Sequence, residues 1–222
     1  MRFEILQTGN FKKFDGEYLM IVLSILTALA LEDFAQDMNH RSLAKQASVK
    51  IDAEIQANIV EVEKILAHNE GQVQKLEQVR KLMLKDIKSG LSDAELAKRV
   101  LTDYQGAFDL SIQSPSLRRE AWEVAVANQS VSWMPNAELN RYSVAYANMR
   151  DMQSANSGMN NYFLDGPRML DIASDAQMGA AAARDVYRMV NQIITSHHSI
   201  NGNLRGLRNE LKASAAAAPK QG

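Results

Sequence analysis

The chain has 222 residues and a mass of 24.7 kDa, with 25 basic and 26 acidic side chains, a formal net charge of −1 and no cysteine. That balance excludes a global field able to gather nucleic acid, and the missing thiols exclude disulfides, thiolate metal sites and cysteine nucleophiles. With aromatics at 6%, 11 glycines and 4 prolines, the composition argues against a sheet-rich fold and for long helices, so the expected class is all-α.

An N-terminal flank, residues 1–17, precedes an apolar run from Tyr18 to Leu31 in which only Ser24 and Thr27 are polar. A spanning helix needs about 17 to 25 residues, and counting from Phe14 to Ala35 reaches that length. Phe11, Phe14 and Tyr18 suit one interface and Phe34 the other, so residues 18–35 read as a single-pass anchor built on Tyr18, Leu19, Ile21, Val22, Leu23, Ile25, Leu26, Leu29 and Leu31. Two readings compete with it. Ala28 and Ala30 form the A-x-A pattern of a signal-peptide cleavage site, although the preceding stretch would be long and would carry Glu4, Asp15 and Glu17. Alternatively, the run is the core of a soluble helical bundle. Lys12 and Lys13 lie closer to the span than Arg41 does, which favours an N-terminus inside and a body outside.

From about Glu17 to Ser89 no proline interrupts the pattern, and one continuous helix is expected, with residues 36–90 as a stalk. Ile55, Ile59, Val62, Leu66, Val73, Leu76, Met83 and Ile87 follow an alternating three/four spacing in which Asn69 and Arg80 are polar interruptions. Such a narrow coiled-coil-like stripe needs a partner helix from the same chain or from a second copy, and its polar members would restrict register. Gly90 then suits a left-handed stop; Ser92 with Glu95 forms a capping box, Leu91 with Leu96 a staple, and a helix is expected from Asp93 to Tyr104. Ser114 and Pro115 read as the start of a further helix bearing Leu117, Ala121 and Trp122, and a loop around Trp133 leads to another from Asn136 with Leu139, Tyr142, Tyr146 and Met149 inward, weakening near residues 154–161.

A last helix, residues 167–213, carries Val186, Val190, Ile193, His197, Ile200, Leu204, Leu207 and Leu211. Two seams of similar length predict an antiparallel hairpin, with residues 91–166 as an insert at the end far from the span and residues 214–222 as a disordered tail.

No chemistry is demanded by these residues. Phosphate-cradling glycine loops, H-E-x-x-H, a nucleophile elbow and a basic-aromatic stripe are absent from the sequence, so no catalytic residue, cofactor, metal or nucleic-acid partner is expected. Glu32, Asp33 and Asp37 form an acidic group beyond the span whose plainest reading is a solvated face. Glu54 and Asn58 stand one turn apart and are candidates to cap or pair with a backbone end. His197 occupies a seam position. Trp122, Trp133, Tyr142 and Tyr146 are a candidate partner or ligand surface, competing with the plainer reading that they are core.

The motifs "ILTALALEDFAQDMNHR", "DAEIQANIVEVEKIL" and "REAWEVAVANQSVSWMPNAELNRYSVAYANM" resemble those of a broad group of uncharacterised bacterial proteins with one N-terminal membrane helix followed by a helical extracytoplasmic domain. Glu54, Asn58, Trp122, Glu123, Leu139 and Tyr146 carry the likeness, while Phe34 stands where that group has a tryptophan at the end of the span. The resemblance implies a bacterial inner-membrane anchor and no activity. The expected function is a non-enzymatic membrane-anchored scaffold or interaction subunit with a periplasmic body and a protein partner, a second copy included. A tethered ligand-sensing module and a soluble cytosolic bundle are the alternatives.

Overall fold

The computed structural model describes residues 9–103, 111–163 and 166–218, with side-chain surroundings from Tyr18 onward except at residues 97, 101, 156–163, 166 and 173. Its elements are α1 (Gly9–Lys88), α2 (Asp93–Thr102), α3 (Glu120–Ala127), a 3-10 turn at Ser130–Trp133, α4 (Asn136–Phe163), α5 (Gly166–Gln177) and α6 (Ala183–Ala216). The all-α class is therefore as expected, with a long first helix and a long last helix packed together. The flanking residues 1–8, Tyr104 at the expected end of α2 and the last four residues of the tail lie outside the described residues.

Helix α1 is 80 residues long, roughly 120 Å at 1.5 Å per residue. It divides into two regimes. From Tyr18 to Asn39 every residue is exposed; His40 is the first that is not, and from Ala44 onward buried residues recur every three or four positions to Asp86. Helix α6 runs antiparallel along this second part. Arg80 donates to Asn191 at 3.0 Å, His198 lies 3.4 Å from Glu77, Arg205 pairs with Glu70 at 2.6 Å and Lys212 with Glu63 at 2.5 Å. Along this pair Ile59, Val62, Leu66, Asn69, Val73 and Leu76 of α1 and Val190, Ile193, His197, Ile200, Leu204 and Leu207 of α6 are all buried. Each fully buried Leu, Ile or Val contributes about 1.5–3 kcal/mol, so this face holds the pair together.

Two details of the seam differ from the three/four pattern. Val79, 3% exposed, takes the place assigned to Arg80, which lies at the flank against Asn191. An α-helix turns 3.6 rather than 3.5 residues, so its buried face drifts, and burying Val79 avoids desolvating a guanidinium. The stripe is also wider than a two-helix seam. Glu54 and Ile55, Asn58 and Ile59, Ile65 and Leu66, and Gln72 and Val73 are buried as adjacent pairs, because α1 meets α6 on one side and α3 and the 3-10 turn on another.

The insert is not confined to the far end. Helix α2 follows Gly90, whose φ of 82° closes α1 with Gly90 N–H to Ile87 O and Leu91 N–H to Asp86 O, the paired bonds of a Schellman stop. The Ser92–Glu95 capping box forms, and the Ser92 hydrogen bonds hold the Glu95 carboxyl below its ordinary range. Residues 111–119 then return along α1 toward its N-terminal half, from Gln113 beside Asn69 to Arg118 beside Asn58. Helix α3 and the 3-10 turn continue in that direction as far as His40, and α4 climbs back past Ser48 and Asn58. Among the described residues, α2, α5 and the start of α6 occupy the far end, where Asp93 accepts from the Ala183 N–H at 3.0 Å.

Four helix limits also differ. Helix α3 starts at Glu120 instead of Pro115, because the backbone before it is engaged by side chains of α1. The expected final helix is split at residues 178–182: Gly179 has φ 70°, and Gly179 N–H to Ala176 O with Ala180 N–H to Asp175 O makes a second Schellman stop. At the other end α6 continues through Ala216 into the alanine run, alanine being the strongest helix former, and Ala215 packs on the core. Helix α4 likewise continues to Phe163 without the expected weakening.

Candidate functional site

The most elaborate polar arrangement lies in the middle of α1. Asn58 is 1% exposed and Asn69 is 0% exposed, and each meets the backbone N–H and C=O of one residue in 111–119 with both ends of its amide. Asn58 donates to Arg118 O and accepts from Arg118 N–H, both at 2.9 Å; Asn69 donates to Gln113 O at 2.9 Å and accepts from Gln113 N–H at 3.1 Å. The spacing is what makes this work. Eleven residues of helix rise about 16 Å and bring the chain back to the same face, while five extended residues cover about 16 Å. The two asparagines thus present a ruler that an extended backbone fits at every fifth residue.

Glu54 extends the clasp by one turn. Its carboxylate accepts from the Ala121 N–H at 2.9 Å, one of the orphan donors in the first turn of α3, and from the Tyr146 hydroxyl at 2.5 Å. Burial, and then the Glu54 carboxylate to which it donates, push the Tyr146 phenol far above its ordinary value. Trp122 stacks on Tyr146 at 5.3 Å and tilts toward Tyr142 at 6.5 Å. Tyr142 is buried, with its hydroxyl 3.2 Å from Ser48 O and 3.1 Å from Glu138, and burial raises its phenol as well. Beside it Arg141 spreads over the Tyr142 ring at 4.3 Å and donates to Asp52 and to Ser214 O, both at 2.9 Å, tying α4 to α1 and to the end of α6.

The four aromatics that form the candidate surface therefore separate. Trp122, Tyr142 and Tyr146 close on one another and on α1, whereas Trp133 stands apart, half exposed, its ring stacked on His40 at 3.8 Å and 8°. Asn69 serves the returning segment, and Arg80 bonds across to α6. His197 is fully buried on α6. In the acidic group beyond the apolar run, Asp37 pairs with Arg41 at 2.8 Å and Glu32 accepts from Gln36 at 3.2 Å, and among the described residues no group of three or more His, Asp or Glu side chains is placed to hold a metal ion. At the far end a small open pocket of about 200 Å³ lies between α5 and α6, with Arg168 and Arg188 at its rim 3.8 and 3.6 Å from Asp185.

The apolar run is the other distinctive feature. Tyr18, Leu19, Ile21, Leu23, Ile25, Leu26, Leu29 and Leu31 are 52–70% exposed and Val22 is 37% exposed, and the apolar window is not buried against any part of the chain. It is not the core of this bundle. Its two polar side chains are satisfied within the helix, Ser24 donating to Met20 O at 2.8 Å and Thr27 to Leu23 O at 2.7 Å. The helix is long and apolar enough near its N-terminus to cross a membrane. No family model matches the chain, and no curated protein or solved structure matches it either.

Proposed function

We propose that the chain is a single-pass, membrane-anchored, non-enzymatic helical protein of a bacterial inner membrane, which holds its body on the periplasmic side and presents it to a protein partner. The observation that carries this reading is the exposed apolar segment continuous with a packed stalk. Apolar side chains gain about 0.3–0.6 kcal/mol each at the centre of a membrane helix, and the back-bonded Ser24 and Thr27 leave no polar hydrogen without a partner there. Elsewhere, several of the buried polar groups hold the fold. Glu54, Asn58 and Asn69 face backbone, and Tyr142, Tyr146 and Trp122 face each other, which supports presentation of a surface over catalysis.

The test is carbonate extraction of tagged full-length protein from a bacterial host, with protease access to a C-terminal tag in spheroplasts. Retention in the membrane pellet and tag cleavage support the reading. Ile25→Arg, which puts a charge costing about 2.5–3.5 kcal/mol at the middle of the span, should move protein into the soluble fraction. Wild-type protein found wholly soluble would overturn the anchor, and a tag protected in spheroplasts would overturn the orientation.

A further inference from the structure

We propose that Trp133 is a lipid contact: the 3-10 turn at Ser130–Trp133 is the underside of the body and rests in the headgroup layer of the membrane that holds the anchor. This inference rests on the anchored reading. Its own support is positional. His40 is the first residue of α1 after the apolar run that is not exposed, so the body begins there, and the group that covers it is the Trp133 ring, stacked at 3.8 Å.

From Ala35, where the anchor ends, to His40 is five residues, about 8 Å of helix. The polar layer on each side of a bilayer is of the order of 5–8 Å deep, so a ring at this height lies at its outer part. Trp133 is 49% exposed although the stack already covers one of its faces, and Met38, 59% exposed, stands half a turn below His40 on the same helix. Tryptophan suits that position because its ring is apolar and its N–H is polar, the property that concentrates it at membrane interfaces. Phe34 lies lower on the same helix and is 64% exposed. The span thus carries no tryptophan at its own end, and the folded body lowers one to the interface from a turn almost a hundred residues later in the chain.

Trp122 makes an internal control. It stacks on Tyr146 beside Glu54, fourteen residues up α1 from His40 and so about 21 Å higher. The experiment uses full-length protein reconstituted into phosphatidylcholine vesicles, some carrying a spin-label quencher just below the headgroup. Tryptophan emission is recorded for the wild type, Trp122→Phe and Trp133→Phe, together with co-flotation of protein with the vesicles. The contribution of each ring is obtained from its own variant and again by difference from the wild type, so loss of one variant to misfolding does not void the result.

The expected result is co-flotation with quenching of Trp133 at least about threefold stronger than that of Trp122, as a 21 Å height difference requires. Co-flotation with Trp133 unaffected by the lipid quencher and open to aqueous iodide overturns the contact and leaves the anchor standing. Protein that fails to float overturns both.

Discussion

At the scale of single residues, the two asparagines of α1 are the clearest case of side chains acting as backbone. Each pairs both the backbone N–H and the backbone C=O of one residue that lies in a loop against a helix, and such groups left unpaired cost about 1–3 kcal/mol each. Asn58→Ala is therefore expected to lower stability by about 1–3 kcal/mol in urea unfolding, and to speed hydrogen exchange at the Arg118 amide before any change at the Gln113 amide, which Asn69 holds independently. An equal loss of protection at both would show that the segment is held as one unit. Much of this was legible in part. Glu54 and Asn58 stand out in the sequence as a polar pair one turn apart, able to serve a backbone end, and Asn69 as a polar interruption of an apolar stripe. What they hold was not legible, because the only pattern in residues 111–119, the helix start at Ser114 and Pro115, points elsewhere and the path of the segment is imposed by contacts made forty to sixty positions away.

At the scale of elements, local signals set the ends of helices well where glycine or a capping box acts, and poorly where tertiary contacts act. Gly90 was expected to stop α1 and does so with φ 82°. A Cβ there would meet nothing within 4 Å, so Gly90→Ala is a test of backbone strain alone. It should cost about 1–2 kcal/mol, the penalty of an L-residue in the left-handed region, measurable as a lowered urea midpoint with unchanged slope. Gly179 makes the same stop within what the periodicity reads as one helix. It is hidden in the run "MGAAAA", whose alanines favour helix and mask the break. Conversely, Ser114 and Pro115 have the sequence of a helix start, but the segment is not helical until Glu120, where Glu54 supplies the acceptor that a cap residue would have provided.

At the scale of the whole molecule, the core and the exposed apolar segment are separate in space though continuous in backbone. Burial begins at His40 and Ala44, and the Tyr18–Asn39 stretch contributes nothing to it. Protein comprising residues 39–222 is therefore expected to be recovered without detergent and to unfold within about 0.5 kcal/mol of the full-length body, as found for changes away from packed features. A truncated body that aggregates or melts far lower would show that the N-terminal stretch supports the core. Two seams predict the pairing of α1 with α6, since each is long and strongly periodic. The path of the insert was not predicted, because its direction depends on which part of α1 offers partners to an extended segment, a property of pairs of distant residues.

The stiffness of α1 has a mechanical consequence. No hinge separates the apolar stretch from the stalk: the helix passes from Tyr18 to Lys88 without proline and without interruption. In the proposed anchored state, the apolar stretch and the body then move as one lever. The 53 residues from Ala35 to Lys88 make an arm of about 80 Å, so a 10° lean of the anchor sweeps the far tip by about 14 Å. In that proposed state, any change of anchor tilt, hydrophobic mismatch among its causes, would reach the far end as displacement.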